Sequence, residues 1–441
     1  MIELSSKNKL DKKIVVIMTA SVLYGWYAVA NITHMNTLAG LIMLAVLATL
    51  PADKDIYVYA ALIPFLKLIP HGSPIRVYFF LVLSIVKILL QKGTTISKRS
   101  ALFLTIWLGI AVGLDIVYAP AFDLSLFTMM VYFALYLSLC RVTSAEIGEI
   151  AAFLLVFSFT VALCSTILSS ETSLTYYLAS QNAEARFGED ARSLGGAMDM
   201  PIYCALTIAI VIERFVTKNL RLLEKIGYIV LACGSILFGL ITVSRSFLLG
   251  IGTIVCWTYL SLLNEKKYHI SLFRITVVFL LVIAFLFYKQ SDAISNIVIK
   301  YSQRDFLKSS RSMIYEDCID YLLLHPLNFL IGTGALGYHA LGIRENLNFQ
   351  MFAHNLVLDA VMSWGIIGTF AMGEMIHLYC KGMKKNNKNP QLIRFLPLVT
   401  WGIFMMVGGT FNYLEQYLYI IILLKLSYCF SEKKACDKYN E

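Results

Sequence analysis

Residues 288–354 read YKQSDAISNIVIKYSQRDFLKSSRSMIYEDCIDYLLLHPLNFLIGTGALGYHALGIRENLNFQMFAH, a long hydrophilic interruption in a chain otherwise built of apolar runs. Those runs are about 16–22 residues long, the size that crosses a hydrocarbon core of about 30 Å. The interruption carries six cations, Lys289, Lys300, Arg304, Lys308, Arg311 and Arg344, and ends in His354-Asn355, where the next apolar run begins. A membrane protein that keeps one large, basic, His-bearing loop is expected to work there, with the spans holding the loop at a bilayer face.

Composition agrees. The 441 residues are 58% hydrophobic and only 15% charged, with a mean hydropathy of +0.71. Soluble domains run nearer about 45–50% apolar and about 25% charged. The expected fold is all-α, a polytopic helical membrane protein of about 12–14 spans, since a β-barrel would show short alternating segments instead. Spans are expected near 14–30, 36–50, 56–70, 75–91, 101–118, 124–140, 148–168, 200–215, 226–243, 246–262, 272–288, 355–379, 394–410 and 413–430. This divides the chain into N-terminal spans (1–288), the long loop (289–354), and C-terminal spans with a tail (355–441). Ile14–Ala30 follows a lysine-rich start and resembles a signal peptide, but with so many spans behind it an uncleaved first helix is expected.

The net charge of +9 does not indicate nucleic acid, because the positive excess is scattered over short inter-helix segments. With the N-terminus in the cytoplasm, the inside segments collect Lys7 to Lys13, Lys54, Lys92, Lys98, Arg99, Arg141, Arg214 to Lys225, Lys266, Lys267, Lys381 to Arg394, and Lys433 to Lys438. The short outside segments hold only Arg76, Arg186, Arg192 and Arg245. Short loops rich in Lys and Arg stay inside. Both termini are then cytoplasmic, in a cytoplasmic (inner) membrane, and the long loop faces outward. An enzyme on that face has no ATP and needs a substrate that arrives activated, such as a polyprenyl-diphosphate-linked sugar. The nine cysteines show no CxxC pair and read mostly as small core residues.

Within the loop, Ile294, Ile297, Val298 and Tyr301 have the spacing of an amphipathic interfacial helix. Arg311 to Leu324 predicts a second helix with Ile314, Cys318, Tyr321 and Leu322 on one face, stopped by His325-Pro326. Gly332-Thr-Gly334-Ala-Leu-Gly337 fits GxGxxG, yet it lacks the βαβ frame of a dinucleotide site and reads as a glycine-permitted turn.

Three side chains carry candidate chemistry. Arg245, in the turn Thr242-Val-Ser-Arg-Ser246, is either a snorkelling interfacial arginine or an anion contact, its fork of donors matching phosphate oxygens. Arg311 follows Ser309-Ser310 at a helix start, and is either a solvated loop residue or a second phosphate clamp near a helix N-terminus. His354 is either structural or, with a pKa near neutrality, a base for a sugar hydroxyl, and Asn355 could orient it or a substrate. His71, His325 and His339 lack supporting neighbours. Asp53-Lys-Asp55 resembles a metal-binding DxD but falls in a cytoplasmic turn, so no metal site and no cofactor are expected. P-loop, HExxH and nucleophile-elbow motifs are absent from the sequence.

Taken in order, Ser244-Arg245-Ser246, Arg311-Ser312 with Tyr315 four residues on, His325-Pro326, Gly332-Thr-Gly334, His354-Asn355-Leu356 and Trp364-Gly365-Ile-Ile-Gly368 resemble the O-antigen polymerase and ligase superfamily of bacterial membrane glycosyltransferases. The specific matches cover roughly residues 240–370. Tyr315 stands where many members have Trp, and the loop lacks the further basic clusters of some ligases. The resemblance implies that Arg245 and Arg311 bind the diphosphate of an undecaprenyl-diphosphate glycan donor and that His354 is the base on the acceptor. Asn355, Tyr315, Gly332 and Gly334 would position substrate. It implies metal-independent, inverting transfer, and partners that include the lipid-linked oligosaccharide, the bilayer, a chain-length regulator and a flippase. A repeat-unit polymerase for O-antigen or capsule-type polysaccharide is the leading expectation. A ligase moving glycan to a lipid core or a protein is the alternative. A lipid-linked glycan flippase fits less well, because it should lack the loop and carry charges within its spans.

Overall fold

The computed structural model describes residues 11–69, 74–91, 96–119, 123–140, 145–170, 174–180, 187, 196–218, 220–263, 292–303, 310–345, 347, 353–385, 392–409, 411 and 413–429, and every regular element among them is helical. In chain order these are α1 (Lys12–Ala30), α2 (Thr33–Thr49), α3 (Ile56–Leu62), α4 (Val77–Leu90), α5 (Lys98–Tyr118), α6 (Leu124–Leu139), α7 (Ala145–Ser169), α8 (Leu174–Ala179), α9 (Gly196–Thr217), α10 (Leu222–Ile241) and α11 (Arg245–Leu263). There follow α12 (Asp292–Gln303), α13 (Ser310–Leu324), α14 (Pro326–Ile331), α15 (Gly337–Glu345), α16 (Leu356–Lys385), α17 (Leu396–Gly408) and α18 (Leu414–Cys429). Seven of the described helices (α1, α5, α7, α9, α10, α11 and α16) are long and apolar enough to cross a membrane by length and composition, and shorter apolar helices accompany them. The protein is thus a polytopic all-α membrane protein. The span expected at 272–288, and the loop cations Lys289, Arg304 and Lys308 with Arg186 and Arg192, lie outside the described residues.

The apolar runs leave the backbone one way to satisfy its N–H and C=O groups in lipid, which is within each helix. What differs between the helices is their second partner. α7, α9 and α18 are largely buried by neighbours, whereas α10 exposes Leu222, Leu223, Ile226, Ile229, Val230 and Leu237, as a lipid-facing helix would. Instead of a long span, 56–70 gives α3 and a 3₁₀ turn, Ile63–Phe65, both buried. Asp55, at the start of α3, is fully buried and ion-paired with Lys87 of α4, so this half of the DxD-like pair has a structural partner.

The connections sort to two ends. At one end Lys13 donates to the Thr49 carbonyl (2.8 Å), Arg99 pairs with Glu374 (3.0 Å) and Lys218 with Glu149 (2.5 Å). At the other, Lys67 pairs with Asp199 (2.6 Å) and approaches Glu415 (3.8 Å), Tyr177 Oη donates to the Ile241 carbonyl (2.9 Å), and α13–α15 pack on the ends of α5, α16 and α17. The Arg-His loop belongs to this second end.

The two helices expected in the loop are present. On α13, Ile314, Cys318, Tyr321 and Leu322 form the expected face, and together with Tyr338, Leu341, Ala353 and Met362 they build a small core of their own. On α12, Lys300 is fully buried: its ammonium donates to the Tyr177 carbonyl (2.8 Å) and lies 3.5 Å from the Tyr177 ring centre, while Asn296 donates to the Leu178 and Ala179 carbonyls. One of the loop's six cations therefore caps the C-terminus of α8.

Candidate active site

The site forms where α17 ends. A helix C-terminus leaves its last carbonyls without intrahelical donors and carries partial negative charge. Three successive carbonyls here take side chains from the loop. Asn355 Nδ2 donates to Met406 O (3.1 Å), Arg311 Nη1 donates to Val407 O, and the His354 ring hydrogen-bonds the Gly408 carbonyl. Tyr315, one turn along α13 from Arg311, places its hydroxyl 3.4 Å from the His354 carbonyl and beside the Asn355 side chain. Arg311, Tyr315, His354 and Asn355 are thus brought together at one place.

Asn355 joins two helices. Its Oδ1 accepts from the N–H groups of Val357 and Leu358 (both 3.1 Å), capping α16, while its amide nitrogen caps α17. His354, just before it, has φ +50°, a left-handed conformation uncommon for residues other than glycine. That turn delivers the ring to Gly408. Burial and then the Arg311 charge push the His354 pKa below the ordinary histidine value, and the Gly408 carbonyl opposes them. The ring is neutral at neutral pH. With one N–H given to Gly408, its second nitrogen is an acceptor, the state a general base requires. Burial raises the Tyr315 pKa against the opposing pull of Arg311, so its phenol stays protonated.

Arg245 begins α11, which runs antiparallel to α17: Gly250 lies against Phe404, and Trp257 Nε1 donates to Leu392 O (2.9 Å). That register carries Arg245 to the level of Gly408, so it lies at the same rim as Arg311 on a neighbouring helix. Gly332 and Gly334 lie elsewhere. Their φ values are +82° and +90°, and a Cβ on either would collide with Ser363 and Trp364 or with Asp115. They let the backbone after α14 approach α16 and α5 closely.

Two buried carboxylates near the rim were not singled out in the sequence. Asp359, one turn into α16, accepts the Tyr338 hydroxyl and the Phe411 N–H (2.6 Å), tying α15 to the segment after α17. Asp115 Oδ1 accepts the Leu336 N–H (3.0 Å). An acidic residue inside an apolar run was the available signal. No group of three or more His, Cys, Asp or Glu among the described residues is placed to hold a metal ion.

Residues 229–373 match the O-antigen ligase family, a segment of about a third of the chain that contains Arg245, Arg311 and His354. No curated protein matches the chain. The family match supports the superfamily indicated by the ordered motifs, and with it a glycan-transfer role of the ligase and polymerase type in polysaccharide biosynthesis.

Proposed function

We propose that this O-antigen ligase/polymerase-type membrane protein is a repeat-unit polymerase that moves a growing glycan from undecaprenyl diphosphate onto a lipid-linked repeat unit at the outer face of the inner membrane. The observation that supports the reading best is the shared seat of Arg311 and His354 on the end of α17.

His354 takes the proton from the acceptor hydroxyl as that oxygen attacks the anomeric carbon. The bond from that carbon to the diphosphate oxygen breaks, and the electron pair leaves with the diphosphate. Arg311, seated on the Val407 carbonyl, presents a planar guanidinium whose fork geometry suits phosphate oxygens. Arg245 approaches from the neighbouring helix. Two guanidinium groups held at this rim stabilise the charge that develops on the leaving group, the kind of term that is usually largest in such sites. One displacement inverts the anomeric centre. The outward orientation of the rim follows from the charge bias of the short loops.

The test is a reaction of purified protein in liposomes with its lipid-linked repeat unit. A ladder of lengthened lipid-linked glycans, absent with His354→Ala and Arg311→Ala, supports the polymerase. Transfer only when a lipid core or acceptor protein is added supports the ligase reading, which the name of the matched family favours. Full activity in both variants would falsify the assigned roles.

A further inference from the structure

We infer that residues 326–336 are a re-entrant element, in which α14 enters the leaflet on the active-site side with its apolar side chains among lipid acyl chains, and the following segment returns through protein.

Depth comes first. Gly365 lies nine residues into α16, or about 13 Å along the axis. α5 runs antiparallel beside it, with Arg99 paired to Glu374 (3.0 Å) and Trp107 edge-on to Trp364 (ring centres 5.2 Å apart). The register sets Gly365 against the middle of α5, a helix of 21 residues and thus about 31 Å. Half a hydrocarbon core is about 15 Å. At this level the backbone of Leu330 and Ile331 touches Gly365, so closely that a Cβ there would collide with the Leu330 carbonyl and the Ile331 nitrogen. From there the chain rises to Asp115 and Tyr118, at the end of α5.

The chemistry of the two limbs differs as lipid requires. Irregular backbone at membrane depth is tolerated only where protein covers it and satisfies its polar groups. On the returning limb, Thr333 and Ala335 are buried. Thr333 N donates to Met362 O (3.0 Å), Gly334 N to Ser363 O (2.8 Å), and Leu336 N to Asp115 (3.0 Å). The descending limb is helical and buries none of its residues. Leu327 is 65% exposed, and Phe329 and Leu330 are exposed beside it. Its remaining polar side chain, Asn328, is paired to Tyr321 Oη (2.6 Å). The exposed side of α13 changes along its length: Ser312, Glu316 and Asp320 stand among Met313 and Ile319 in its first part, and only Leu323 and Leu324 in its last turn. Water covers the start of α13, where Arg311 sits, and hydrocarbon covers its end. Only His325 separates α13 from α14, so the inserted helix sets the height of Arg311 above the leaflet.

The test uses full-length protein in liposomes. A nitroxide is attached at Cys introduced for Leu327, Leu330, Ser312 or Glu316, in a chain whose native cysteines are replaced. Labels at 327 and 330 are expected to collide with oxygen and not with a water-soluble nickel chelate, with the opposite at 312 and 316. If the cysteine-free chain does not fold, a benzophenone amino acid at 327 in the otherwise native chain is expected to give lipid adducts on irradiation, and at 316 none. Chelate access at 327 and 330 equal to that at 316, or no lipid adduct from position 327, overturns the insertion. Neither readout depends on glycan transfer.

Discussion

Gly365→Ala tests whether the crossing beneath the site is built as described. Gly365 has φ +63° and ψ −174°, a region open essentially only to glycine, and a substituent there costs about 1–3 kcal/mol in backbone strain. The new methyl also meets backbone atoms of Leu330 and Ile331, which cannot rotate away. Overpacking of that kind adds about 1–3 kcal/mol. If the two segments part to relieve it, the Thr333–Met362 and Gly334–Ser363 hydrogen bonds go, at about 1 kcal/mol each. The expected loss is about 2–6 kcal/mol, either as a lower unfolding midpoint or as local release of α14 with loss of transfer. Gly373→Ala is the control in the same helix, since nothing lies within 4 Å of its added Cβ. The assay is the apparent midpoint in detergent at a fixed scan rate, because such unfolding is governed by rate, together with glycan transfer in liposomes. A Gly365→Ala protein that matches the Gly373→Ala control in both readouts refutes the argument.

Other consequences are open to measurement. Transfer is expected to hold through neutral pH and to fall in acid, since His354 must be neutral and its pKa lies below the usual histidine value. Arg311→Gln removes a charge that lowers that pKa, so protonation of His354 should set in at higher pH; the pH dependence of diethyl pyrocarbonate labelling at the His354 peptide reads this without turnover, and an unmoved profile contradicts the coupling. Asp359→Asn gives up one acceptor to the Tyr338 hydroxyl or the Phe411 N–H, a loss of about 1–3 kcal/mol for a buried donor left without a partner. Its transfer rate should fall with donor affinity kept, and an unchanged rate argues against the tie between α15 and the end of α17. Lys300→Met removes one of the donors to the Tyr177 carbonyl, the other being Ser180 Oγ (3.1 Å), and should cost about 1 kcal/mol of stability while sparing His354 and Arg311. An unaltered midpoint would contradict the capping role of this cation.

The helices were legible because lipid makes hydrophobicity and secondary structure the same signal: a run long enough to span has no alternative to the helix. Spacing on α13 named its buried face for a similar reason, since Ile314, Cys318, Tyr321 and Leu322 have one packed side to share. Candidate site residues stood out where chemistry and position coincide, a basic or imidazole side chain at the edge of a span. Their common seat was not, because Met406, Val407 and Gly408 act through backbone carbonyls, and a carbonyl leaves no mark on side-chain identity. The same limit hid the crossing. Gly332, Gly334 and Gly365 were visible as glycines, but which backbone each admits depends on a partner far along the chain. Lys300 shows the converse error. Counted as loop charge, it is buried on Tyr177, because a long aliphatic stem lets an ammonium reach a carbonyl through an apolar contact. In the proposed mechanism the loop's chemistry rests on Arg311 at the start of α13 and His354 just before α16, and the end of α17 seats both.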